Sequence, residues 1–233
     1  MVIKNRTLGY SAIQGFYWMG YASIMGFASV FLLNVGFDNS QVGLLIAAAG
    51  LLSALLQPLA AAYADRPKSM ALKWIIFLLT ALCLGGSLVL MTAGGQKIAA
   101  GLCYGLCMVL LQLTTPLVNA LGIATVNSGE KMNFGVARGF GSLGYGAAAY
   151  LIGVLTDSKG AGAVPLCMGA TLLVLLLVTL DYKKVKRIPE TPKAAAPAQG
   201  GFLHRYPRYC LVLVGLVFLF ISHVVLNSFT YQI

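Results

Sequence analysis

Seven apolar stretches, near residues 12 to 35, 41 to 63, 74 to 94, 98 to 120, 134 to 156, 162 to 182 and 209 to 230, set the terms on which this chain can fold. Each is long enough to cross a bilayer core of about 30 Å as a helix. A helix is the form such a segment takes, because it satisfies its backbone N–H and C=O groups internally where no water reaches them. Only 9% of residues are charged and 59% are hydrophobic, whereas about a quarter of a soluble domain carries charge. A water-soluble fold is excluded, and the predicted class is an all-α polytopic membrane helix bundle.

The net charge of +10 invites a nucleic-acid reading, but its distribution speaks for topology. Lys4, Arg6, Arg66, Lys68, Lys73, Lys131 and the basic run from Lys183 to Arg208 fall on one side of the membrane, against Lys97 and Lys159 on the other. With Arg138 set aside that is thirteen against two, and the positive-inside rule places the amino terminus in the cytoplasm of a cell whose inner or plasma membrane holds the protein. The expected partners are therefore the lipid bilayer and a solute, not nucleic acid. The first apolar stretch is too long for a signal-peptide core and reads as a retained helix. Cys83, Cys103, Cys107, Cys167 and Cys210 all lie inside predicted spans, so no disulfide framework is expected. Cys103 and Cys107 are one turn apart but have no His or carboxylate nearby in sequence; neither a metal nor a cofactor is expected.

A duplication runs through the chain. Asp65 and Asp157 stand 92 residues apart, each closing an apolar helix that opens 22 residues earlier with Gly43 or Gly135. Ala47, Gly50, Ala54 and Ala61 align in the same register with Gly139, Ser142, Gly146 and Gly153. With three spans between the copies, the second must traverse the membrane in the opposite sense, giving a 3+3 inverted repeat of the kind found in secondary transporters. Small residues at this spacing also arise in any closely packed membrane helix. The expected organisation is a six-helix bundle over 1–182, a flexible cytoplasmic linker over 183–207 and, over 208–233, the first helix of an incomplete carboxy-terminal bundle. The Pro- and Ala/Gly-rich composition of 189–201 carries the linker reading. On that view the sequence is a fragment of a 12-helix protein whose second bundle is missing.

Arg138 is the most informative single residue. It lies about a turn inside the fifth span, where a guanidinium costs roughly 2.5 to 3.5 kcal/mol on insertion scales unless it meets water or a partner. It either faces an aqueous cavity or snorkels to the headgroups. Tyr145, seven residues on, shares its helix face. A forked cation beside an aromatic plane suits a polyhydroxylated ring. Gln112, Thr115 and Asn119 form a polar stripe around Pro116, Gln14, Tyr17 and Tyr21 form another in the first span, and His223, Asn227 and Tyr231 a third in the seventh. Each stripe serves either interhelical hydrogen bonding or a shared cavity lining. The run Gly139-Phe140-Gly141-Ser142-Leu143-Gly144 matches a dinucleotide fingerprint in letters only. It lies within a membrane helix, so its glycines are expected to let helices approach.

QPLAAAYADRPK, after the second span, resembles the loop between the second and third helices of the major facilitator superfamily. NFGVARGFGSLGYGAAAYLIG resembles the fifth helix of lactose-permease-like proton symporters, members of the same superfamily. The resemblance implies a gating or packing role for Asp65 and Arg66, a sugar-contacting role for Arg138, and a stacking role for Tyr145 in place of a tryptophan. Asn119 stands where lactose-specific members have a glutamate, which argues against lactose itself. No Asp or Glu lies in mid-span, leaving His223 as the group available for proton coupling. The function expected is secondary active transport, by alternating access, of a small polar solute, a sugar or oligosaccharide, coupled to protons. The substrate-binding set is Arg138, Tyr145, Asn119, Gln112, Thr115, Tyr17 and Tyr21. The alternatives are a nucleoside or aromatic- or organic-acid carrier, a seven-span receptor, or an intramembrane enzyme. For the last of these the sequence shows neither paired acids, nor a metal set, nor a serine with its base, so no catalytic residue is expected.

Overall fold

The computed structural model describes residues 5–66, 68–92, 96–185 and 206–229, and the chain divides into two compact units, Met1–Ile188 and Pro189–Ile233. Most of the expected linker (186–205), together with Pro67 and Tyr231, lies outside the described residues. The first unit holds α1 (Arg6–Tyr21), a π-helical turn (Ala22–Gly26), α2 (Ala28–Asn34), α3 (Asn39–Asp65), α4 (Leu72–Thr92), α5 (Lys97–Asn127), α6 (Phe134–Lys159) and α7 (Ala163–Asp181). The second unit contributes α8 (Pro207–Phe229). No strand occurs among the described residues.

Local chemistry explains the boundaries. Asn5 opens α1 by accepting from the backbone N–H groups of Thr7 at 3.0 Å and Leu8 at 3.4 Å, using donors that a helix start leaves unpaired. Asp38 and Gln41 form a reciprocal capping box at the start of α3. Asn133 caps α6 by accepting from Val136 N at 3.0 Å. Gly160, at φ +78°, closes α6 in a conformation that L side chains resist. The helices of the duplication therefore begin four residues before Gly43 and one before Gly135, and α6 runs two residues past Asp157.

Five helices are long and apolar enough to cross a membrane, α3 to α7, with a sixth crossing if the bent pair of α1 with its π-turn and α2 counts as one. The continuous first span expected over 12 to 35 is thus corrected. It starts at Arg6 and bends by 43° beyond the π-turn. Tyr104 of α5 meets the irregular backbone there, donating its hydroxyl to the carbonyls of Ile24 at 2.8 Å and Ser23 at 3.3 Å, which is what allows a helix to break away from water. In the second unit the apolar stretch Pro207–His223 is shorter than the other spans.

The principal contacts follow the duplication. α6 and α7 pack on α1, α3 and α4 pack on α5, and α4 packs on α7. Exchanging the first three spans for the second three leaves that pattern in place, as an internal repeat requires. α1 and α5 occupy the middle of the unit, where Tyr10, Tyr17 and Tyr104 are the largest fully buried side chains. The repeat's aligned glycines stand open: Gly43, Gly50, Gly139, Gly146 and Gly153 have open space where a Cβ would stand, whereas Gly144, outside that alignment, meets the backbone of Gly15.

Proline inside α5 creates a second local problem. Pro116 has no N–H to offer the carbonyl four residues back, which belongs to Gln112. Gln57, adjacent to Pro58 in α3, supplies the missing donor from its Nε2 at 3.2 Å. Replacing Gln57 by Leu leaves that carbonyl without its partner and is expected to cost about 1–3 kcal/mol, read as a lowered melting midpoint of the purified protein.

Candidate functional site

The side chain that organises the site is Gln14, fully buried on α1. An indole N–H can only donate, so the amide oxygen of Gln14 must face Trp18, leaving its NH2 for oxygen acceptors. Trp18 Nε1 donates to Gln14 Oε1 at 3.1 Å. Gln14 Nε2 in turn donates to the Tyr10 hydroxyl at 2.7 Å and to Asn119 Oδ1 at 3.4 Å. The same Asn119 oxygen accepts from Arg138 Nη1 at 3.3 Å. A polar chain therefore runs from α6 through α5 to α1, and Tyr10 anchors it to α5 by donating to Val118 O at 3.0 Å.

An aromatic corner adjoins this chain. Trp18 meets Tyr145 edge-on, with ring centroids 6.5 Å apart and planes at 70°. Tyr21 also tilts against the indole, with ring centroids 5.0 Å apart. The indole has room because Gly141 lies against it, where a Cβ would collide with the ring. The start of α6 is held in place by Phe134 stacking on Tyr10 at 5.9 Å and by Asn133 N donating to Thr7 Oγ1 at 3.1 Å. These contacts aim Arg138, one turn into α6, toward α5.

The expected site residues fall into distinct positions. Arg138 is exposed, and Asn119 and Tyr145 are half-buried beside Gln14 and Trp18. Tyr17 is buried and its hydroxyl is engaged inside the bundle with Thr115 Oγ1 and with Leu111 O at 3.1 Å. Tyr17 and Thr115 thus join α1 to α5 underneath the site instead of presenting polar atoms at its surface. Gln112 accepts through its backbone, while its side-chain Nε2 is a buried donor with no acceptor among the described residues. Asp65 and Arg66 are exposed at the carboxyl end of α3. His223 belongs to α8 in the second unit. The expectation that all the glycines of the G-x-G-x-x-G run serve helix approach is corrected: Gly141 and Gly144 do, whereas Gly139 faces open space. Trp18 and Gln57 were not singled out in the sequence. Trp18 sits one turn beyond Gln14 on the same face, a placement that the sequence alone reads equally well as core packing.

Another charged cluster lies where α1 begins and α7 ends. Arg6 forms a two-pronged ion pair with Glu130 in the α5–α6 loop and donates to Lys183 O at 2.9 Å. Its guanidinium also lies 5.0 Å from the centre of the Tyr182 ring. Lys73 at the start of α4 donates to Leu180 O at 2.8 Å and Tyr182 O at 2.6 Å, placing a cation at the negative end of the α7 dipole. The hydrogen bonds from Arg6 hold the Glu130 carboxyl below its ordinary 4.5 against the opposing effect of burial, and the charges of Arg6 and Lys183 add to the lowering. A carboxylate whose pKa is depressed on folding stabilises the folded state above its unfolded value and stops doing so as pH falls through the folded value. Melting midpoints measured down an acid series should therefore fall below pH 4.5, and Glu130→Gln should remove that component of the fall.

The cysteines are free thiols, and Cys83 and Cys107 donate to one another's carbonyl oxygens at 3.6 and 3.7 Å across α4 and α5. Among the described residues no group of three or more His, Cys, Asp or Glu is arranged to hold a metal ion.

Fold and site together define a multi-pass membrane protein built on an internal duplication, with a polar and aromatic cluster where its helices converge. The chain belongs to the MFS_1 like family, which matches residues 10–232, and is a transporter of the major facilitator superfamily. No curated protein and no solved structure matches it.

Proposed function

We propose that this transporter moves a sugar or short saccharide by alternating access, coupled to protons, in the manner of the oligosaccharide:proton symporters it resembles. The observation that carries the reading is the junction of Arg138 and Asn119 with the Trp18–Tyr145 corner. Forked and amide donors address ring oxygens, and the aromatic faces cover the apolar side of a ring. Binding and conformational change are the work, without covalent chemistry. The charge asymmetry supports a cytoplasmic amino terminus in the cell's inner or plasma membrane. Asp65 and Arg66 serve gating at the end of α3, and His223 on α8 is the residue assigned to proton coupling, with a second bundle completing the path.

Trp18 supplies its own reporter, since the chain has two tryptophans, Trp18 and Trp74. In a Trp74→Phe background, saccharides are expected to change the emission of Trp18 in a saturable way, and labelled saccharide should accumulate in proteoliposomes under an inward proton gradient. Saturable binding and uptake of nucleosides, with none of saccharides, would overturn the reading.

A further inference from the structure

The site is richer in unused donors than in open amide acceptors. Asn119 Oδ1 takes hydrogen bonds from both Arg138 and Gln14, and Gln14 Oε1 takes that of Trp18. A guanidinium has five N–H donors, and the bond to Asn119 is the one that Arg138 makes among the described residues. The Asn119 Nδ2 group has no acceptor among them either. A hydroxyl brings one donor and two acceptor lone pairs, so a neutral ring can take some of these donors, but it brings no negative charge to meet the guanidinium.

The charge is unbalanced in the same direction. Asp38, Asp65, Glu130, Asp157 and Asp181 all lie at helix ends or in loops, and the one further acid of the sequence, Glu190, is outside the described residues. No carboxylate is a partner of Arg138 among the described residues; its partner there is an amide. Arg6 offers the internal comparison, because in the same unit that arginine has its own acid, Glu130, in a two-pronged pair. A lone guanidinium within the membrane is costly, and an incoming carboxylate removes that cost while filling the fork with two parallel hydrogen bonds.

Resting on the saccharide reading above, we propose that the solute is an acidic sugar, a ring carrying a carboxylate as uronic acids do. Arg138 takes the carboxylate, Asn119 Nδ2 donates to a ring oxygen, and the Trp18–Tyr145 corner covers the ring face.

The test uses the whole chain in nanodiscs, in the Trp74→Phe background, titrated with glucuronate, galacturonate, glucose, galactose and acetate. A uronate should bind roughly thirtyfold more tightly than its neutral parent, the lower end of the range for a charge pair that becomes desolvated when the ring covers it. Arg138→Lys should retain part of that preference, since it keeps the charge but not the fork. Asn119→Glu, which gives Arg138 an acid of its own, should reverse it, with neutral sugars binding as well as uronates or better. Glucose or galactose equalling the uronates in the unaltered site would overturn the inference and leave the saccharide reading standing. Acetate binding as tightly as a uronate would uphold the charge and reject the ring. A folded protein that binds none of the five would remove both.

Discussion

Arg138→Ala is expected to abolish solute binding while the protein still inserts and elutes as a single species. The residue is exposed and its bond is to a half-buried amide, so removing it leaves no cavity in the packed core and no buried carboxylate unpaired. Insertion should not suffer, because the change removes a charge from the first turns of a membrane helix. Binding loses its only cation in the cluster, a change worth about 2–5 kcal/mol when the partner is charged and desolvated. Titration of Trp18 emission measures the affinity, and size-exclusion profiles report the fold. Unchanged affinity in this variant would move Arg138 out of the site and assign its charge to the headgroups.

Gly144→Val should have the largest effect on stability. A Cβ at Gly144 would stand 2.5 Å from the backbone oxygen of Gly15 and 3.1 Å from its Cα and carbonyl carbon. Backbone cannot swing aside as a long side chain can, so α1 and α6 must separate. Overpacking of this kind costs about 1–3 kcal/mol, on the order of 2–12 °C in melting midpoint for a chain of this size. The separation would also pull Trp18 from Tyr145, so binding should weaken along with stability. Gly146→Ala is the control two residues away: a Cβ there meets nothing within 4 Å, and alanine is the better helix former. A fall in melting midpoint for Gly146→Ala equal to that for Gly144→Val would show that glycine at 144 is required for some reason other than helix contact.

The contrast between those glycines marks the reach of sequence reading here. Aligning Gly139, Gly146 and Gly153 with their counterparts near Gly50 showed that each copy has a face of small residues. Their spacing carried no sign of whether that face is covered, and the structure leaves it open while closing the helices through Gly141 and Gly144. The break after α1 was hidden for a related reason. No proline marks Ala22–Gly26, and the carbonyls freed there are met by Tyr104, some 80 residues away. Arg138 was legible because its charge conflicts with its surroundings wherever the helix points. Trp18 was not, because an aromatic residue on an apolar helix reads the same whether it fills a core or lines a site.

The amino-acid sequence alone determined that this chain crosses a membrane as helices, where most of them lie and that one arginine among them needs a reason to be there, since each of these follows from transfer free energies summed over local windows. Tertiary structure alone decided that the arginine leans on Asn119, that Gln14 ties that asparagine to Trp18, and that Gln57 repairs the backbone broken by Pro116. Those are hydrogen bonds between helices far apart in the chain, and a donor finds its acceptor only when packing brings the two within about 3 Å.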